Sequence, residues 1–279
     1  MSKPFSFTDL FLRMIEENMK NVKHKVIVLS GKGGVGKSFI AVNLSLALSE
    51  MGLKIGLFDA DLHGSSVPIL LGVKKGFLYL EESRIIPVEG PLNVKFVSIS
   101  LMTNSYETPI VWRGPLKTRA ILEILARTYW GDIDYLIIDT PPGTGDEILT
   151  ITQSLKKLDG GIVITAPNIL TESIVTRTLN FLHEAGIRVL ALVENFSYFK
   201  CPDTGKEHYP FGESNIEKLA SKYKVDLVIK LPIDPLVAES IKREEPYYIS
   251  FRNSEVSSKI RELASEIIKT IESVELNRE

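Results

Sequence analysis

The chain has 279 residues, 44% hydrophobic and 24% charged, with a formal net charge of −2. This is enough apolar material for one large globular domain with a sizeable core, and the charge balance points neither to nucleic acid nor to an anionic membrane. Its one cysteine, Cys201, excludes a disulfide framework within the chain and suits a reducing cytoplasm.

The first residues, "MSKPFSFTDLFLRMIEENMKNVKH", do not read as a secretory signal, because Asp9, Arg13, Glu16 and Glu17 interrupt the apolar positions. Leu10, Phe11, Met14, Ile15 and Met19 recur at helical spacing. Residues 1–24 are therefore read as an amphipathic helix or extension, and residues 25–279 as the main domain. The plainer expectation is that this helix packs on its own domain; the alternative is that it docks a partner. No apolar run is long enough to span a bilayer.

Six apolar runs follow: "KVIVL" (25–29), "KIGLFD" (54–59), "VKFVSI" (94–99), "YLIIDT" (135–140), "GIVIT" (161–165) and "VLALVEN" (189–195). Continuous apolar character suits strands buried on both faces, hence a mostly parallel sheet. Residues 38–52 and 171–186 read as helices ending at Gly52 and Gly186, and a last helix from about Asn253 carries Val256, Ile260, Leu263, Ile267 and Ile271 on one stripe. Residues 203–213 read as a loop. The alternation predicts an α/β, doubly wound, mostly parallel sheet with helices on both faces.

The stretch "VIVLSGKGGVGKSF" satisfies two phosphate-binding fingerprints. Gly31, Gly33 and Gly36 spell the dinucleotide signature, and Asp59 ends the next strand about twenty residues on, where a ribose ligand would sit. Gly31, Gly36, Lys37 and Ser38 spell the P-loop of nucleoside triphosphatases. Three features favour the P-loop. A dinucleotide site has no use for Lys37, which reaches β- and γ-phosphates, or for the Ser38 hydroxyl, a Mg²⁺ ligand. An apolar strand ends in Asp139, as a Walker-B strand does. Asp59 and Asp61 form a second acidic pair, where ribose recognition needs one acid. An oxidoreductase with a dinucleotide cofactor is thus the weaker reading.

The site so read holds ATP and Mg²⁺. Gly31, Lys32, Gly33, Gly34, Val35, Gly36, Lys37, Ser38 and Phe39 line the nucleotide, and the glycines let backbone N–H groups approach the phosphates. Ser38 binds Mg²⁺, with Asp59 and Asp139 behind bound waters, and Asp61 orients the attacking water. Lys32 is not needed by an ordinary P-loop. It either reaches the phosphates of a facing subunit, as an arginine finger does, or adds unspecific attraction beside a polyanion.

"GKGGVGKS" resembles the deviant Walker A of the MinD/ParA and nitrogenase iron-protein class. With "DADLHGSSVP", "VWRGPLKTRA", "GDIDYLIIDTPPGTGDE", "LVENFSYFKCP" and "LPIDP", the chain looks like a member of the Mrp/ApbC group of iron–sulfur cluster carrier ATPases from Val26 to about Glu245. The resemblance implies a nucleotide-sandwich homodimer in which Lys32 crosses the interface and acts with Lys37 and Asp61 in catalysis. It implies that residues 140–146 are a switch following the γ-phosphate, that Asn195 reads the adenine, and that Pro232 and Asp234 close that pocket. It implies a [4Fe–4S] cluster at the dimer interface and apoprotein clients. "WRGP" around Arg113 matches the family without a chemical role beyond packing.

The chain departs from the family at three places. Phe39 stands where the family usually has Thr, so only its backbone N–H is left for the α-phosphate. Gly64, Ser65 and Ser66 replace G-P-S, read as a small change. The family's C-P-x-C reads "CPDT", with Thr204 at the second cysteine position. Two Cys201 thiolates per dimer fall short of the four that such a cluster takes, so Cys201 is either half of a cluster site or a remnant without a metal role. Asp203 and His208 do not compensate at the right spacing.

The expected protein is a cytoplasmic, homodimeric Mg²⁺-ATPase with a role in iron–sulfur cluster transfer, without nucleic acid or membrane partners. The alternative is a MinD/ParA-like ATP-driven positioning or regulatory switch. Its membrane form wants a basic amphipathic C-terminal helix, whereas "ESVELNRE" is mixed and acidic.

Overall fold

A computed structural model describes residues 7–61, 64–73, 79–81, 83–102, 114–167 and 171–276. Arg113 lies outside them. In chain order the elements are α1 (Phe7–Asn18), β1 (Val22–Ser30), α2 (Lys37–Glu50), β2 (Ile55–Asp59), α3 (Val67–Leu70), β3 (Tyr79–Glu81), β4 (Arg84–Ile86), β5 (Val88–Glu89), β6 (Lys95–Ser98) and α4 (Gly114–Arg127). They continue with β7 (Ile133–Asp139), α5 (Asp146–Ser154), β8 (Gly160–Thr165), α6 (Thr171–Glu184), β9 (Val189–Lys200), β10 (Glu207–His208), α7 (Ile216–Tyr223), β11 (Val228–Pro232), α8 (Leu236–Arg243), α9 (Tyr247–Ser250) and α10 (Glu255–Leu276).

Among the described residues the main sheet runs β10-β9-β8-β1-β7-β2-β6-β5, with β11 also paired to β9. Every pairing is parallel except those of β10 with β9 and β5 with β6. All six apolar runs lie in this sheet. Their period of two divides the core into two layers. Val26 and Val28 of β1 and Tyr135 and Ile137 of β7 face a layer built with α2 and α10. Ile27, Leu29, Leu136 and Ile138 face the opposite layer, built with α1, α4, α5, α6 and α7. Helices thus cover both faces of a doubly wound sheet.

The amphipathic N-terminal helix packs on this chain. Phe11, Ile15 and Met19 are buried in the layer that holds Ile121 and Leu125 of α4, the Asn18 amide donates to the Ala126 carbonyl, and Lys156 pairs with Glu16 at 2.7 Å. The main sheet already begins at Val22, level with Ile133.

Two features differ from the sequence reading. β9 continues past Asn195 to Lys200, and β10 pairs back onto it through Glu207↔Lys200 and His208↔Phe199, so residues 203–213 are not wholly loop. The reason lies at Phe196, whose φ of 59° is left-handed and interrupts regular strand geometry. A register shift against β11 follows between Lys230 and Pro232. Beyond this irregularity β9 carries Cys201 outward on a hairpin.

Candidate functional site

β1, β7 and β2 lie side by side at the centre of the sheet, and their carboxyl ends meet at one edge. The connection from β1 leads through α2 to β2 on one side and that from β7 leads through α5 to β8 on the other, the kind of place where open α/β sheets bind ligands. The loop after β1 turns into α2 through Gly34 (φ 79°) and Gly36 (φ 83°), both left-handed. Gly36 is also constrained from outside: a Cβ would strike the Asn195 amide. Asn195, 5% exposed, donates to the Val35 carbonyl at 3.0 Å and so braces the loop.

Lys37 opens α2 and is 6% exposed; it forms an ion pair with Asp139, which is fully buried at the end of β7. Ser38 also bonds Asp139. The second carboxylate oxygen of Asp139, Oδ2, is buried and has no hydrogen-bond partner among the described residues. Level with Asp139 across the β2–β7 pair sits Asp59, 1% exposed. Asp59 accepts hydroxyls from Ser65 at 2.6 Å and Ser98 at 2.8 Å, and the Asp61 amide at 3.1 Å.

Two buried acids therefore share one lysine. Burial pushes the Asp59 carboxyl up to about 7, and the neighbouring Asp139 charge pushes the same way, against the Ser65 and Ser98 hydroxyls and Lys37. Burial also raises Asp139, against the pull of Lys37 and Ser38. With both acids ionised the site is one positive charge short. Two carboxylates, one of them with an unpartnered buried oxygen, and a hydroxyl are a donor set that suits a hydrated divalent cation.

A pH dependence follows with a definite sign. The folded protein binds the Asp59 proton more tightly than the unfolded chain, whose reference value is 3.8. Its contribution to stability is full below that value and is lost as pH rises to about 7. Thermal melts of nucleotide-free protein should show a lower Tm at pH 8 than at pH 5, and Asp59→Asn should remove most of the difference. A parent Tm that does not fall over this range would contradict the placement of Asp59 as an acid without a compensating cation.

The remaining predicted residues fall into two groups. Lys32 is half-buried at the loop mouth and its side chain pairs with no described residue. Asp61 accepts the Gly64 amide at 3.1 Å just beyond Asp59. Gly143 donates to the Ser30 carbonyl at 2.8 Å, tying the 140–146 segment to the start of the P-loop. Phe39 turns away into the core against Tyr247, ring centroids 5.2 Å apart. Asp234 caps the start of α8 by accepting the Leu236 amide at 2.9 Å, and it accepts the Tyr247 hydroxyl. Pro232, at the end of β11, pairs with Tyr198 of β9.

Cys201 lies outside this cluster, on the β9–β10 hairpin. The turn is closed by Gly205 N–H to the Cys201 carbonyl at 2.8 Å and Cys201 N–H to the Lys206 carbonyl at 2.9 Å. A hydrogen bond from the Thr204 hydroxyl, then the Thr204 and Asp203 amides, hold the thiol below its usual range. Thr204 therefore sits within reach of the Cys201 sulfur. Among the described residues no group of three or more His, Cys, Asp or Glu side chains gathers to hold a metal.

The family model described as ParA, NUBPL iron-transfer P-loop NTPase, matches residues 21–268. The chain belongs to this family. An iron-sulfur cluster carrier protein of Saccharolobus solfataricus is 42% identical over 259 residues, covering 93% of this chain and 88% of the relative. One from Aquifex aeolicus is 41% identical over 258 residues, covering 92% and 70%. A nucleotide-binding protein from Archaeoglobus fulgidus, solved in complex with ADP, superposes with a TM-score of 0.75 at 34% identity over 85% of this chain and 93% of that one. The cell division ATPase MinD of Pyrococcus furiosus, at 23% identity and a TM-score of 0.65, shares the fold. Membership in the iron-transfer NTPase family agrees with the resemblance read from "GKGGVGKS" and "PPGTGD".

The Ser65, Ser98 and Ser100 hydroxyls around Asp59 are absent from the sequence reading. The replacement of proline by Ser65 was the available signal, and the register that levels Ser98 with Asp59 was not.

Proposed function

We propose that this NUBPL-family NTPase is a Mg²⁺-dependent ATPase that closes as a cytoplasmic homodimer around two nucleotides and transfers iron–sulfur clusters to apoproteins. The observation that carries the reading is the buried Lys37–Asp139 pair with its unpartnered Asp139 oxygen beside Asp59. The family match and the ADP-bound Archaeoglobus relative support it.

In this reading the N–H groups of Gly31 to Phe39 hold the phosphates at the α2 N-terminus. Lys37 moves from Asp139 to the β- and γ-phosphates. Ser38, Asp59 and Asp139 would hold Mg²⁺, which when bound would supply positive charge against the β- and γ-oxygens. Asp61 orients the water that attacks the γ-phosphorus, and the bond to the β–γ bridging oxygen breaks as ADP leaves. Asn195, with Pro232 and Asp234, borders the adenine. Lys32 neutralises the transition state of the facing subunit. Cys201 contributes a thiolate to the cluster cargo from each subunit.

Asp61→Ala should bind ATP and lose hydrolysis by at least ~100-fold. Lys32→Ala should bind ATP, yet lose ATP-stabilised dimerisation and turnover together. Mixing the two variants separates action in trans from action in cis. A mixed dimer has one site with Asp61 intact in cis and Lys32 intact in trans. Turnover per mixed dimer formed should therefore return to about half that of the parent. Mixed dimers without recovered turnover would argue against Lys32 acting across the interface.

A further inference from the structure

Asp59 and Asp139 are supported by different means. β2 runs between β7 and β6, so Asp59 is level with Asp139 on one side and Ser98 on the other. Asp139 is paired with a cation, Lys37. Asp59 is held by neutral hydroxyls: Ser65 and Ser98 both donate to Oδ2, at 2.6 and 2.8 Å. Ser100 lies 2.8 Å from the Ser65 oxygen and 2.9 Å from that of Ser98. With the Ser65 and Ser98 protons on the carboxylate, the single Ser100 proton goes to one of these two oxygens at a time. The other oxygen, Oδ1, takes the Asp61 amide at 3.1 Å. With donors on both oxygens, rotating the carboxylate breaks bonds on each.

We infer that Ser65, Ser98 and Ser100 form a hydroxyl clamp that positions Asp59 for the Mg²⁺ shell, with Ser65 supplying a donor that proline at this place cannot. This rests on the Mg²⁺-ATPase reading above. The hydroxyls orient the acid without neutralising it. A lysine in their place would cancel the charge that the cation needs. Supporting groups behind metal-shell carboxylates fix ligand orientation and thereby affinity. Ser65 sits between Asp61 and the short helix α3. Its side chain makes three hydroxyl or carboxylate contacts there, more than a turn residue needs.

The test is a Mg²⁺ titration of full-length protein loaded with a fluorescent ATP analogue, on the parent, Ser65→Ala, Ser65→Thr and Asp59→Ala. Ser65→Ala should raise the Mg²⁺ midpoint roughly tenfold. Its affinity for the analogue in chelator should change less than about twofold, and its kcat at saturating Mg²⁺ should stay within about threefold of the parent. Ser65→Thr keeps the hydroxyl and should return the midpoint towards the parental value. A raised midpoint in Asp59→Ala with a parental one in Ser65→Ala overturns the clamp. An equal loss of analogue affinity with and without Mg²⁺ in Ser65→Ala, or no rescue by threonine, overturns it also, because the serine would then only shape the loop. A parental midpoint in Asp59→Ala removes the Mg²⁺ reading itself.

Discussion

Lys37→Ala is expected to lower ATP affinity by roughly 100-fold or more, because the β- and γ-phosphates lose a fixed charge-assisted donor. A second effect comes from the buried pair. Without Lys37, Asp139 is an uncompensated carboxylate with no exposure, next to Asp59. Breaking such a pair costs about 3–5 kcal/mol. The loss should be largest at high pH, where Asp139 is ionised, and smaller at acidic pH, where it holds a proton. Lys37→Ala/Asp139→Asn separates the effects: it should recover stability and leave ATP binding lost. Calorimetry with a non-hydrolysable analogue reads the first effect and denaturant unfolding the second. Parental affinity in Lys37→Ala would remove the lysine from the phosphate site.

The P-loop was legible because its demands are local. Left-handed φ at Gly34 and Gly36 and a lysine at the first turn of α2 leave few other sequences. The six strands were legible because burial on both faces makes them continuously apolar. Helix α4 begins within the stretch "VWRGPLKTRA", where Gly114 and Pro115 weaken the helical signal, although Ile121, Ile124 and Leu125 carry helical spacing. The hairpin after β9 was hidden by the left-handed Phe196, since side-chain alternation does not register such a break. The serine clamp was hidden for a different reason. Residues 65, 98 and 100 converge only through the register of β2 with β6. Likewise, that Asn195 braces Val35 follows from β9 lying two strands from β1, with β8 between them.

In the proposed cluster-transfer role, the cargo turns on the hairpin that carries Cys201. The resemblance read from the sequence puts Thr204 at a second cysteine position, and the Thr204 hydroxyl bonds the Cys201 sulfur. The Cβ of residue 204 is therefore already placed so that a thiol would join Cys201 on one side of the turn. The proposed homodimer would offer two thiolates, and iron sites filled by water or small thiols exchange easily. The parent should therefore hold well under one cluster per dimer. Thr204→Cys should provide four thiolates and a stable [4Fe–4S] centre. Replacing Cys201 by Ser in that background should abolish it.

Anaerobic reconstitution followed by iron and sulfide analysis, with and without ATP, tests most directly the proposed cluster-transfer role of this NTPase. The parent should hold little iron, Thr204→Cys about four irons and four sulfides per dimer, and only the latter should show the broad absorption of a cluster. Absence of a cluster on Thr204→Cys would contradict the proposed role, since the hairpin would then lack the geometry for a cluster site.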